Sequence, residues 1–461
     1  MKLSSLLGLR AWLSGLFVAA IALTVIAYGS VHIVPLNISA FTFAALAGVS
    51  AAFPIAERRV RRVQTVAILL LAGLLGYAYL QTLPVDGSLA NKAWKAVNEN
   101  IGPIEGSISV APGMTLEALA SLALPFLVFV SGLAYFQGDG KALVLWRALA
   151  YFGVAYAVYG LVQETFFPQQ LLFVAKKVNV GALTASLVDP DHVGTFFGVA
   201  LMVNLGLAFY KLRKLHIKSF IDEVFNHGRW RYETASVLIH ALFSLIVAVA
   251  LFLTKSRGAV GATFVACVVA VAILVSGRLT ADKPSREPSR GRRFAVVAGS
   301  VVIIVLLFAL LAGRTEYRIE TQVAEEGRWC AFASTIQAIK DNWILGTGFG
   351  TFQDVFPSYR NSDCAGIFGI WDKAHNVFLE GYLGLGLPFA AAVVIGYGVL
   401  IGAFIRGIRT RRRYRSIPTM GLSALVLVSL HSLVDFSLEI PGVGVYFAAV
   451  TAAAVSVSLT R

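Results

Sequence analysis

Charge is what this chain has least of. Asp, Glu, Lys and Arg make up 14% of its 461 residues, against 57% hydrophobic residues and a mean hydropathy of +0.75. Ordinary soluble domains carry about 25% charged residues, so a water-solvated globular surface over most of the chain is excluded. Cysteine is scarce too, and the three present say little. Cys267 lies in an apolar run and reads as a small packing residue. Cys330 and Cys364 share one polar loop, where an oxidising compartment would allow a disulfide. No internal repeat is visible, which speaks against a transporter built from inverted halves. The first apolar segment lacks a cleavage site and further spans follow at once, so a retained helix is expected there.

What the chain does have is long uncharged apolar runs, at 11–56, 63–85, 118–138, 148–163, 193–210, 234–254, 258–277, 294–313, 381–405, 416–434 and 440–460. A span takes about 20 such residues. The first run holds two, broken near Gly29-Ser30, so the expectation is an all-α polytopic membrane protein of about 12 transmembrane helices forming one membrane domain, 1–461. With both termini on the cytoplasmic side, the outer connections keep only twelve of the 39 Lys and Arg residues, the bias that orients membrane proteins. The net charge of +14 is therefore mostly topological, and it makes no argument for nucleic acid. The basic connectors 276–293 and 406–415 read as solvated loops beside anionic membrane lipids.

The polar stretch 314–375 then falls outside and holds half of those twelve charges, among them Arg314, Arg318, Arg360 and Lys373. Within it Trp329, Phe332, Ala333, Ile336 and Ile339 recur at helical spacing and predict an amphipathic helix over 328–341, on the membrane surface or packed on the bundle. Glycines 346, 348 and 350 break regular structure. Asp372 is placed to cap a following helix, with Ala374-His375-Asn376 in its first turn.

His375 is the sharpest chemical candidate. A helix N-terminus disfavours imidazolium, and a neutral ring can accept a proton from a sugar hydroxyl. A histidine that merely hydrogen-bonds its loop fits the same position. Arg257, joining two apolar runs, and Arg328 suit phosphate, because the guanidinium is a planar, permanently charged fork of donors. Fixed cations can stabilise a departing diphosphate without a metal; snorkelling to lipid headgroups is the alternative. Gly346-Thr347-Gly348-Phe349-Gly350 imitates part of a dinucleotide fingerprint but sits in no βαβ unit, so it reads as a tight turn. Asp189-Pro190-Asp191-His192 fits either a capped helix start or a pair of carboxylates for Mg²⁺ or Mn²⁺; the turn is the favoured reading. His431 and Asp435 form the last polar cluster in an apolar setting, functional by default at membrane depth or else a capping hydrogen bond.

Taken in order, Tyr159-Gly160-Leu161-Val162-Gln163, the 189–194 turn, Ser256-Arg257-Gly258, Gly327-Arg328-Trp329, 346–352, Ala374-His375-Asn376-Val377-Phe378-Leu379 and 431–441 resemble the O-antigen ligase/polymerase superfamily over roughly 150–445. The resemblance implies a GT-C-like, inverting glycosyltransferase of the bacterial inner membrane that needs no metal or other cofactor. It implies a glycan donor on undecaprenyl diphosphate, a lipid-linked or lipid A-core acceptor, and an active site in the periplasmic loop. It assigns His375 as the essential histidine and Arg257 and Arg328 as the diphosphate ligands; Asn376, His192, Asp189, Asp191, His431 and Asp435 stand beside these as candidate supporting residues. Two departures stand out. The family often has Asn-x-Asn-His where this chain has 189–192, and a glutamate near the last glycines of the histidine helix where this chain has Gly384-Leu385-Gly386, with Glu380 nearby. A lipid-linked glycan transporter and a non-catalytic envelope scaffold are the readings from other classes. Nearly charge-free spans count against the first.

Overall fold

The computed structural model describes residues 3–85, 87–227, 230–275, 319–361 and 369–460. These fold into helices α1 Leu3–Ile26, α2 Ile33–Ser50, α3 Arg58–Leu80, α4 Ala93–Asn100, α5 Pro112–Tyr135, α6 Gly138–Phe166, α7 Pro190–Leu212, α8 Ile217–Asp222, α9 Tyr232–Leu253 and α10 Arg257–Val275. After the next gap come α11 Ile319–Asn342, α12 Phe352–Val355, α13 Val377–Leu385, α14 Leu387–Thr410, α15 Ser416–His431 and α16 Pro441–Leu459. Short 3-10 turns at Tyr28–Ser30, Phe356–Tyr359 and Ser437–Glu439, a π turn at Glu223–His227 and one antiparallel hairpin, β1 Gln170–Leu171 and β2 Val174–Ala175, lie between them. The protein is an all-α polytopic membrane protein. Ten described helices are long and apolar enough to cross a bilayer.

Of the twelve expected spans, ten are these helices and an eleventh is α15, shorter at 16 residues. The apolar run 294–313 lies outside the described residues. The first run divides where expected: Gly29 takes a φ of 67°, and a Cβ there would lie 2.8 Å from both Ile440 and Leu187. The run 381–405 also divides, at Gly386, into α13 and α14.

α16 is the central post. Its apolar window is 94% buried, and its interior is rich in Ala, Gly and Ser. Lipid offers no hydrophobic drive between helices, so small residues that let backbones approach are what hold them together. A Cβ on Gly132 of α5 would lie 3.1 Å from the Ala452 methyl of α16. α7 is nearly as enclosed, at 89%, whereas α3 and α14 bury only 17% and 11% of theirs. Their outward side chains, such as Leu69 and Val394, are the apolar surface a bilayer requires.

Long-range hydrogen bonds gather the polar connections at one end of the bundle. Gln81 Nε2 donates to the Leu345 and Gly384 carbonyls at 2.7 and 2.9 Å, Leu183 N to Leu253 O at 2.9 Å, and Val377 N to Ser432 O at 3.0 Å. Glycines 346, 348 and 350 all have positive φ, at 71°, 102° and 81°. A Cβ at residue 346 would lie 2.4 Å from the Gly384 carbonyl oxygen. Gly346→Ala is therefore expected to cost roughly 1–3 kcal/mol of strain and to lower the thermal midpoint of the detergent-solubilised protein; an unchanged midpoint would refute the close approach.

Candidate active site

Asp189 starts the site by starting a helix. Its carboxylate accepts the Asp191 amide at 2.8 Å as the N-cap of α7, and Pro190 occupies the first turn, where its missing N–H costs nothing. That cap presents Asp191. One oxygen of Asp191 accepts the Ser256 hydroxyl, and the other meets Arg328 Nη2 at 3.2 Å. The backbone carbonyl of Asp191 takes the Thr195 hydroxyl, whose oxygen lies 2.6 Å from His431 Nδ1. Gly258 makes room for this: a Cβ there would lie 2.7 Å from His431 Nε2. The motif Ser256-Arg257-Gly258 thus supplies one hydroxyl ligand and one gap, and Arg257 is exposed at the start of α10.

His375 lies on the other side of Phe436. The Phe436 ring meets His375 edge-on at 4.9 Å and His192 at 4.7 Å, and Trp371 packs 5.5 Å from His375. His375 Nδ1 is buried, has no hydrogen-bond partner, and stands 3.9 Å from Asp435 Oδ1. The other Asp435 oxygen is held by the Ser437 amide at 2.7 Å and by its hydroxyl. Burial pushes the Asp435 carboxyl up, but His375, His192, His431 and Ser437 more than offset it, so the group stays ionised well below the usual range. Asp189 goes the other way: burial raises it, His192 opposes, and the charges of Asp191 and Asp435 add to the rise.

The helix carrying the histidine motif is capped by Asn376, whose oxygen accepts the amides of Phe378 and Leu379 at 3.0 Å each. The expectation that Asp372 caps it is corrected. His375 consequently precedes the helix, with a φ of 52°. The Asn376 amide also donates to Leu433 O at 2.8 Å, pinning this loop to the end of α15.

α11 is corrected as well. It begins at Ile319, so Arg328 lies inside it and does not open it. Its buried face is Ala331, Phe332, Ser334, Thr335 and Ala338, whereas Trp329, Ala333 and Ile336 point outward. Apolar spacing was right for Phe332 and Ile339, which pack inward, but small and hydroxyl residues make up the rest of the buried face. Arg360 braces its own loop through Gly369 O at 3.2 Å. Arg314, Arg318 and Cys364 lie outside the described residues. Cys330 is disulfide-bonded and Cys267 is free.

A charged trio was not assembled from sequence. Lys373 Nζ lies 2.8 Å from Glu380 Oε1 and 2.7 Å from Glu439 Oε2. The second Glu380 oxygen accepts the Ala374 amide at 2.8 Å, directly before His375. Burial works against the lysine's charge, but Glu439 and Glu380 raise its pKa overall; burial and Glu380 raise that of Glu439. Lys373→Met is expected to destabilise the protein by roughly 1–3 kcal/mol, less than a fully buried pair because the lysine is 32% exposed. Since Glu439 takes up a proton above the ordinary carboxylate range, its repulsion of Glu380 fades on acidification. The loss of thermal stability in this variant should be larger at pH 8 than at pH 5. A pH-independent loss would contradict the trio.

Both carboxylates considered for a metal have protein partners: Asp189 an amide, Asp191 an arginine and a hydroxyl. Among the described residues no group of three or more His, Cys, Asp or Glu has the arrangement to hold a metal ion. Residues 242–394 match the family model of O-antigen ligase. The matched segment contains Arg257, Arg328 and His375; the Asp189–His192 and His431–Asp435 clusters that contact them lie outside it. None of the curated proteins matches the chain.

Proposed function

We propose, from the match of residues 242–394 to the O-antigen ligase family model, that the protein transfers a glycan from undecaprenyl diphosphate to an acceptor hydroxyl at the periplasmic face of the bacterial inner membrane. The observation that carries this reading is the convergence of Arg328 and His375, 47 positions apart in the chain, on one polar cluster at one end of an apolar bundle. In a transporter, such groups would be wanted near mid-span.

Arg328 spends one N–H on Asp191, and among the described residues its remaining donors have no hydrogen-bond partner. They, with Arg257, face the diphosphate. The acceptor hydroxyl oxygen attacks the anomeric carbon, forming the new glycosidic bond as the bond to the diphosphate oxygen breaks. One displacement of this kind inverts the anomeric centre. The hydroxyl proton passes to His375, and the undecaprenyl diphosphate leaves with the electron pair of the broken bond, its charge stabilised by the arginines. Asp435 supports the imidazolium as it forms. Its 3.9 Å separation from Nδ1 suits a substrate-free site, where catalytic hydrogen bonds are long and tighten on binding.

Whether the acceptor is another lipid-linked repeat or lipid A-core is read from products. A ladder of lengths from lipid-linked donor alone means polymerase; transfer only after lipid A-core is added means ligase. Movement of intact donor without bond formation would overturn both in favour of a transporter.

A further inference from the structure

A cavity of mixed polar and apolar lining opens at the same end of the bundle. It measures about 1110 Å³ and lies between the 85–108 connection, which includes α4, and residues 341–346 at the end of α11. Its walls combine two tryptophans with amide and charged side chains. The Trp94 indole N–H donates to Ser109 O at 3.0 Å, which fixes that ring. Trp343, half exposed, lines the same cavity. Asn98 accepts the Ile104 amide at 2.7 Å through its oxygen, leaving its NH₂ as donor. Asp341 accepts the Tyr359 hydroxyl on one oxygen at 3.1 Å, leaving the other as acceptor. Lys92 and Lys95 are exposed on the rim.

Held aromatic faces beside unused donors and acceptors are what a saccharide needs. Its hydroxyls both give and take hydrogen bonds, and its C–H faces lie against rings. An acyl chain would leave these polar groups unpaired. The cavity is tied to the candidate site by two structural elements. Arg328 and Asp341 lie on one helix, 13 residues and about 20 Å apart. Gly346 lines the cavity, and two residues on, Gly348 N donates to Gly384 O of α13, the helix that follows His375, at 3.0 Å.

We propose that this cavity is a glycan subsite that holds sugar residues several units away from the reacting anomeric carbon. The inference rests on the substrate being a lipid-linked glycan. It predicts that the protein grips its chain in two places, at the diphosphate and at a distal sugar, so that longer glycans bind better.

The test is calorimetric titration of the purified full-length protein with oligosaccharides of one, two and three repeat units, released by mild acid from the host's own lipid-linked glycan. These carry neither lipid nor diphosphate. Wild type should bind, more tightly as length increases, and Trp343→Ala at least tenfold more weakly. Trp343 is half exposed, so that variant should fold, which its unchanged thermal midpoint would verify. Failure of wild type to bind, or equal binding by a folded Trp343→Ala, overturns the subsite. His375→Ala should bind like wild type, and the two claims separate on the wild-type protein: wild type that binds these glycans but transfers none sinks the enzyme reading and leaves the subsite standing. In the transfer assay, a raised KM of Trp343→Ala for the donor alone places donor sugars in the cavity; a raised KM for the acceptor alone places acceptor sugars there.

Discussion

Replacing His375 by alanine is expected to cut polymer or ligated glycan in cells by at least about 10²-fold, the usual worth of a positioned acid or base, with normal amounts of protein in the membrane. The ring makes no hydrogen bond through Nδ1 and is 27% exposed, so the fold loses little. Alanine gives up its edge-on contacts with Trp371 and Phe436 and the imidazole 3.9 Å from Asp435. What disappears is the one imidazole that is both partly open to the site and close to an ionised buried carboxylate. His431 and His192 cannot replace it: they are 2% and 6% exposed. Asp435→Asn should give a smaller loss, because the ring stays while support for its positive charge goes. Full product from His375→Ala at equal protein levels would contradict the assignment.

Arg328→Ala is expected to reduce turnover by about 10²–10³-fold, the scale on which removal of one fixed transition-state donor is felt. Arg328→Lys should recover little, because a single ammonium cannot both hold Asp191 and present a fork of donors to phosphate. The loss should fall on kcat more than on KM, since charge on the diphosphate grows as the glycosidic bond breaks. Asp191→Asn provides the comparison. It weakens the tie to Arg328 but can keep the Ser256 contact, so it should be milder than loss of the arginine. With arginines in charge of the diphosphate, EDTA should leave the wild-type rate unchanged. A wild-type rate that collapses in EDTA, or an Arg328→Ala variant within twofold of wild type, would move the diphosphate elsewhere.

The bundle was legible because bilayer thickness and the cost of unpaired backbone allow few solutions: among the described residues, apolar runs of sufficient length became spans, and a glycine at position 29 split the first. The positions of Arg257, Arg328 and His375 along the chain were legible for a different reason, since charged and titratable residues stand out between apolar runs. The network around them was not. Whether Asp191 binds a metal or an arginine depends on Ser256 and Arg328, 65 and 137 positions away. Lys373, Glu380 and Glu439 look like unrelated surface charges until α13 and the start of α16 come together. The buried face of α11 was read only in part, because beside Phe332 it is built of Ala, Ser and Thr, while hydrophobic periodicity weights bulky residues. The cap at Asn376 escaped because Asp372 and Asn376 are both good caps, and only the Leu433 contact chooses between them.

The most direct measurement follows bond cleavage. Purified protein in vesicles would be given lipid-linked oligosaccharide, and free undecaprenyl diphosphate would be quantified against elongated or transferred glycan, for wild type and His375→Ala. The account predicts that wild type releases one undecaprenyl diphosphate for each glycan transferred, and that His375→Ala releases none above background. Donor that crosses the bilayer with its glycan still attached, and no undecaprenyl diphosphate set free, would contradict it.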